Sequence, residues 1–246
     1  MLQARGVTIR FGGVVAVNRM DIDVRPGEIV GLIGPNGAGK TTFVNAISGM
    51  YVPSEGTIKW RDETIGGNSP TKLARLGIGR TFQNVASLSD LTVLDIVKLG
   101  HSVRSTKSGL RGFFRTDRRE DDALVDGLLK PLGLAEHSQR ALQTLSYGHR
   151  KAVDIARALA GNPDLLLLDE PVAGVAPVEA ARLADFVKQI RDRQGCAVVM
   201  VEHKMDIVMS TCDRIVVMAG GARIFDGSGE AVRSDPEVRR VYLGEA

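Results

Sequence analysis

The chain has 246 residues, 43% of them hydrophobic and 25% charged, with a formal net charge of +3. That is enough apolar sequence for a sizeable buried core, and the mild charge permits an anionic partner without requiring one. Aromatic residues make up only 4%, and the longest apolar runs are of the order of LLLL at 165–168 and CAVVMV at 196–201. The first count speaks against a surface built to stack nucleic-acid bases, and the second leaves nothing long enough to cross a bilayer.

The N-terminal MLQARGVTIRF lacks the charged-then-apolar pattern of a secretory leader. Val7, Ile9 and Phe11 alternate with polar residues and predict a strand, followed by VVAV and MDIDV before a turn at Pro26-Gly27. EIVGLIG at 28–34 reads as a buried strand entering a glycine-rich loop. TTFVNAISG then gives a helix stopped by Gly49, and GTIKW gives a further strand. From about residue 88 to 160 the pattern turns helical, with a basic middle that includes Arg111, Arg115, Arg118 and Arg119. Such a run reads as a solvated face. DLLLLDE at 164–170 and CAVVMVEH at 196–203 return to sheet-core strands, separated by the helix VEAARLADFVKQIRD, and RIVVMAGGARIFDGS closes as a hairpin turning at Gly220-Gly221. Short apolar strands alternating with helices predict an α/β protein with a mainly parallel sheet. Cys196 and Cys212 form no CxxC pair and read as core filler in a reduced, cytosolic protein.

GPNGAGKT at 34–41 matches G-x-x-x-x-G-K-[ST] and lies between a predicted strand and a predicted helix, where the motif functions. Its glycines let the backbone curl so that successive N–H groups face phosphate oxygens. Lys40 supplies a mobile cation, and Thr41 a hydroxyl for Mg²⁺. Four leucines then deliver Asp169 and Glu170 to the carboxyl edge of the sheet, where open α/β folds bind ligands. There Asp169 is placed to hold Mg²⁺ and Glu170 to polarise an attacking water. His203 ends a strand parallel to that one. LSYGHR at 145–150 is a second anion-facing turn, its Ser146, Tyr147 and Gly148 preceding the helical run KAVDIARALA.

A phosphate loop, RTFQN with Gln83, Leu-Ser-x-Gly opening a helix, an apolar strand with Asp-Glu, and a histidine, in that order, resemble the nucleotide-binding subunit of an ABC transporter. The resemblance spans nearly the whole chain. It implies a single ABC ATP-binding domain over 1–246: a P-loop NTPase core, an N-terminal antiparallel β subdomain, and a helical signature subdomain at about 88–160. It also implies ATP and Mg²⁺ as ligands. In that family two subunits face each other head to tail, each ATP lying between the phosphate loop of one and the Leu-Ser-x-Gly turn of the other, which accounts for two anion-facing turns. By resemblance Phe11 holds the place of the aromatic that stacks on adenine. Asn36, Gly37, Ala38, Gly39, Lys40, Thr41 and Thr42 hold phosphates, and Gln83 touches Mg²⁺ or water. Ser146 and Gly148 meet the partner's γ-phosphate, Glu170 activates water, and His203 contacts the γ-phosphate.

FGGVVAVN, RTFQN, Tyr147 and the terminal VYLGEA look like the larger ATPase of branched-chain amino acid importers. That implies a heterodimer (a homodimer in isolation being possible), two transmembrane permeases, a periplasmic solute-binding protein, and a place at the cytoplasmic face of the membrane, with no nucleic acid. Urea or amide uptake, lipid or lipopolysaccharide export, and a weakly hydrolysing nucleotide switch are readings the motifs leave open. Three departures from the family pattern stand out: Tyr147 for glycine, His149 for glutamine, and Ala176 for the Asp or Asn of the loop that links the two ATP sites.

Overall fold

In the central strands, strict alternation of neighbours decides the layers. The computed structural model describes residues 1–82, 88–103 and 118–243. The five residues of β3 (Ile29–Ile33), β7 (Leu165–Asp169) and β8 (Ala197–Val201) are all buried, as strands covered on both faces must be. Leu165, Leu167, Val199 and Val201 face one way, into a core shared with Phe43, Val44 and Ile47 of α1 (Lys40–Ile47). Leu166, Leu168, Val198 and Met200 face the other way, into a core shared with Val153, Ala156 and Leu183. A period of two along each strand thus sorts one apolar run into two cores.

These strands belong to a six-stranded sheet ordered β10-β9-β3-β8-β7-β6, completed by β6 (Ile78–Arg80), β9 (Arg214–Ala219) and β10 (Ala222–Gly227). All its pairings are parallel except the β9–β10 hairpin, which turns at Gly220-Gly221 as expected. A second, antiparallel sheet ordered β2-β1-β4-β5 comprises β1 (Leu2–Phe11), β2 (Val14–Val24), β4 (Glu55–Trp60) and β5 (Glu63–Thr64). Helix α1 lies between the two sheets, sharing a core with Leu2, Ile9, Ile22 and Ile58 of the second one.

On the opposite face of the parallel sheet lie α3 (Val93–Ser102), α5 (Tyr147–Ala160) and α6 (Pro177–Gln194). The short α2 (Pro70–Arg75) precedes β6, α4 (Arg118–Leu124) runs into a π turn at Val125–Leu129, and α7 (Met205–Thr211) follows β8. Two short helices, α8 (Gly229–Ser234) and α9 (Pro236–Leu243), follow the hairpin. Among the described residues no helix is long and apolar enough to cross a membrane.

Three local expectations change. VVAV and MDIDV are one strand, β2, whose register against β1 shifts three times between Ala4 and Arg10. The bulges let a single strand carry two apolar stretches. Helix α5 begins at Tyr147, not Lys151, because the Ser146 hydroxyl accepts from the His149 N–H at 3.2 Å and caps it there. The helical stretch at 88–160 also contains 3₁₀ turns at Ala135–His137 and Leu142–Thr144. Arg111 and Arg115 of the basic run lie outside the described residues, while Arg118 and Arg119 open α4. Cys196 is buried in the core and Cys212 is partly buried against it, and burial pushes each thiol up to about 12.

Candidate functional site

The loop after β3 is shaped by glycine. Gly34, Gly37 and Gly39 have φ of 150°, 80° and 93°, in the region where side chains are strained. Two of them are also pressed by backbone: a Cβ would lie 2.1 Å from the Met218 carbonyl at Gly34 and 2.3 Å from the Ala16 carbonyl at Gly39. At Gly37 such a Cβ would meet nothing within 4 Å. The loop is therefore anchored on β9 and β2 and open at its middle. Asn36, Gly37 and Ala38 form that middle, Gly39 caps α1, and Lys40, Thr41 and Thr42 make its first turn, which carries no acidic residue. Unpaired N–H groups at a helix N-terminus favour an anion.

Lys40 is 6% exposed, and its Nζ donates to the carbonyls of Gly34 and Pro35, each at 2.8 Å. Burial lowers its pKa from the ordinary lysine value, while Glu170 and Asp169 oppose the fall. The cation is thus held inside its own loop, within the field of the two carboxylates across the sheet edge.

Asp169 ends β7 with 2% exposure, and its Oδ1 lies 3.5 Å from Thr41 Oγ1. Burial raises its pKa, Arg80 pulls it back, and Glu170 adds to the rise. The next residue, Glu170, has φ of 51°, an uncommon conformation for a side chain of its kind. Its N–H donates to the Val201 carbonyl at 2.9 Å, and its own carbonyl accepts from Lys151 Nζ at 2.8 Å. Glu170 Oε1 lies 3.0 Å from His203 Nε2. The register Asp169↔Val201 explains this meeting: residues 170 and 203 leave adjacent parallel strands one residue out of level.

Four charged residues to which the sequence motifs assign no role support this edge. Arg80, at the end of β6, bonds Ser48 and Asn45 and lies 3.5 Å from Asp169 Oδ2, as a nearly buried counter-ion. Asp154, on the buried face of α5, accepts from the Phe82 N–H at 2.7 Å and from Arg157. Arg157 in turn donates to the Arg80 carbonyl at 2.8 Å. The signature helix is thereby tied to the strand end that leads to Gln83, which itself lies outside the described residues 83–87. Glu202, 1% exposed, is the fourth. A charge interrupting an apolar stripe was the available signal at Asp154, and a charge extending a buried strand was the signal at Glu202.

The second turn packs on the segment that follows Glu170. Gly148 sits against Val175 and Glu179: a Cβ there would lie 2.3 Å from Glu179 Oε2. Tyr147 is 48% exposed and packs over Gly174, with Arg150 and Lys151 near its ring. His149 faces His137, ring centroids 4.9 Å apart, and burial followed by His137 lowers its pKa. Ala176 is the N-cap of α6 and makes no side-chain cap bond. Phe11 is 46% exposed at the end of β1, so it is no core residue, and it meets Tyr51 edge-on at 5.0 Å.

A glycine-shaped loop between strand and helix, with an acidic pair on a parallel strand beside it, defines a P-loop nucleotide-binding ATPase. Residues 17–173 match the ABC transporter family, and residues 222–246 match the family described as branched-chain amino acid ATP-binding cassette transporter. The chain is 38% identical over 252 residues to the high-affinity branched-chain amino acid transport ATP-binding protein LivG of Escherichia coli K12, covering 100% of this chain and 98% of that one. It is 38% identical over 251 residues to BraF, of like description, from Pseudomonas aeruginosa, again covering 100% and 98%. Among solved structures, an ATP-binding cassette of an ABC transporter in its ADP conformation superposes with a TM-score of 0.87 at 32% identity, covering 100% of this chain and 99% of that one. This chain belongs to the ABC transporter ATP-binding family, and it is an ATPase of the P-loop fold.

Proposed function

We propose that this chain is the ATP-hydrolysing subunit of an importer for branched-chain amino acids or a similar small solute. It would work with a second ATPase subunit as a heterodimer, two membrane permeases and a periplasmic solute-binding protein, at the cytoplasmic face of the membrane. The observation that carries the reading is full-length likeness to LivG together with the Glu170–His203 pair beside the phosphate loop.

In this reading Asn36 to Thr42 receive the phosphates, and Lys40 exchanges the carbonyls of Gly34 and Pro35 for terminal phosphate oxygens. The loop's open middle suits a ligand approaching along the backbone. Thr41 and Asp169, 3.5 Å apart, suit Mg²⁺, which typically takes one or two protein oxygens and fills the rest with phosphate and water. When bound, that ion would neutralise charge developing on the phosphates. Glu170 takes a proton from water as the water oxygen bonds the γ-phosphorus and the bond to the bridging oxygen of ADP breaks. His203 orients Glu170 and meets the γ-phosphate. Ser146 and Gly148 serve the nucleotide held by the partner subunit. Because each γ-phosphate binds groups from both chains, ATP favours the closed pair over the open one.

The experiment is reconstitution of the subunit with its permeases and binding protein in proteoliposomes. ATP-dependent uptake of leucine, isoleucine or valine, with ATPase activity stimulated by the same solutes, is the expected result. Uptake confined to urea or amides, or movement of lipid instead, would assign another branch of the family.

A further inference from the structure

We infer that Glu202 is a positioning residue for the Glu170–His203 pair, an inference that rests on the hydrolytic reading of that pair. Glu202 follows β8 and is 1% exposed, yet it is a carboxylate, and burying a charge is costly unless hydrogen bonds compensate it. Its two oxygens face two different segments. Oε1 accepts the Val172 N–H at 2.9 Å, two residues beyond Glu170. Oε2 accepts the N–H of His203 at 3.0 Å and reaches that of Lys204 at 3.4 Å.

Lys204 adds a second tie in the same direction, its Nζ donating to the Val175 carbonyl at 2.9 Å. His203 is therefore flanked on both sides by residues that grip the segment following Glu170. The other half of the pair is fixed independently. The Glu170 N–H is held by Val201, its carbonyl is held by Lys151, and its positive φ sets the direction in which the side chain leaves. With both backbones fixed, the 3.0 Å separation of His203 Nε2 and Glu170 Oε1 becomes a property of the scaffold. Glu202 supplies the part of that scaffold that joins the two loops, and with 1% exposure and both oxygens taken up by backbone N–H groups its carboxylate is closed to a ligand at the sheet edge.

The test uses the full chain with its partner ATPase and permeases, comparing Glu202→Ala, Glu202→Gln and the unsubstituted protein for ATP affinity and kcat. Glu202→Ala should leave ATP affinity unchanged, because the phosphate loop is untouched, and lower kcat by about 10²-fold, the scale on which a catalytic group misplaced by an ångström loses rate. Glu202→Gln keeps the shape and one accepting oxygen, so its kcat should fall between the other two. Unchanged kcat in the alanine variant would overturn the inference. So would affinity and kcat falling together with glutamine no better than alanine, which is the mark of general damage. Should the alanine chain not bind ATP at all, the glutamine variant decides: reduced kcat at unchanged affinity supports the role, and full turnover or a joint loss of affinity removes it. Glu170→Gln is measured alongside. Full turnover there would sink the hydrolytic reading itself, whereas an inactive Glu170→Gln beside an unimpaired Glu202→Ala sinks the positioning role alone.

Discussion

Two side chains at the sheet edge differ in burial, and the proposed function assigns them different tasks. Lys40 is enclosed by its own loop, where its Nζ holds two carbonyls, and the proposal gives its charge to binding. Glu170 stands in a strained backbone conformation beside His203, and the proposal gives its carboxylate to chemistry. Lys40→Ala should therefore weaken ATP binding by about 10- to 100-fold, the worth of a charge-assisted hydrogen bond, as read by nucleotide titration. Glu170→Gln should leave binding intact and lower ATPase turnover by about 10²–10⁴-fold, the usual contribution of a general base. Equal affinity in the first variant, or equal turnover in the second, would remove the assignment of that residue. Gly39→Ala belongs with them: at φ of 93° and with the Ala16 carbonyl 2.3 Å from the new Cβ, the loop must deform, and ATP affinity should fall while the rest of the fold persists.

Among the elements, α6 shows what a single departure from the family pattern does. Position 176 is its N-cap, and alanine there leaves the cap bond unmade, although Pro177 still starts the helix and Gly195, with φ of 65°, ends it. The Asp or Asn that the family resemblance led us to expect is a capping residue by chemistry, as well as part of a loop between ATP sites. Ala176→Asn should therefore stabilise the chain by about 1 kcal/mol, raising Tm by roughly 2–4 °C for a protein of this size, as measured by thermal unfolding without nucleotide. No change in Tm would show that water satisfies these N–H groups equally well. Helix α5 is the contrasting case: Ser146 caps it, so the residue read as a phosphate contact already has a structural task in the free chain.

At the scale of the molecule, the arrangement separates the two turns that the proposal assigns to phosphate. The phosphate loop opens α1, which packs on one face of the parallel sheet, and Ser146 opens α5, which packs on the other. If ATP is held between copies, damage to the second turn must appear in the partner's site. Gly148→Ala disturbs only the tip of the flexible Glu179 side chain, so the variant should fold and keep its own ATP affinity. It should nevertheless lose nucleotide-dependent association with the partner subunit and the hydrolysis of the partner's ATP. Sedimentation with the partner and ATP, using Glu170→Gln chains to prevent turnover, reads the association directly. Undiminished association would refute the shared-site arrangement.

The sequence by itself determined most of the strands, though not β5 and β6, together with the phosphate loop and the acidic pair. A five-residue apolar run, a glycine turn with lysine and threonine, and a carboxylate ending a leucine strand are local patterns whose physics is complete within a few residues. It also carried the order of motifs on which the family resemblance rests. Only the tertiary structure decided that Glu170 and His203 touch, because that contact depends on the register of β7 against β8. The same holds for Arg80 beside Asp169, Asp154 beneath Phe82, and Glu202 between two loops. Each of these is a charged residue whose partner lies tens of positions away, and no spacing rule in a single chain records a hydrogen bond made across strands.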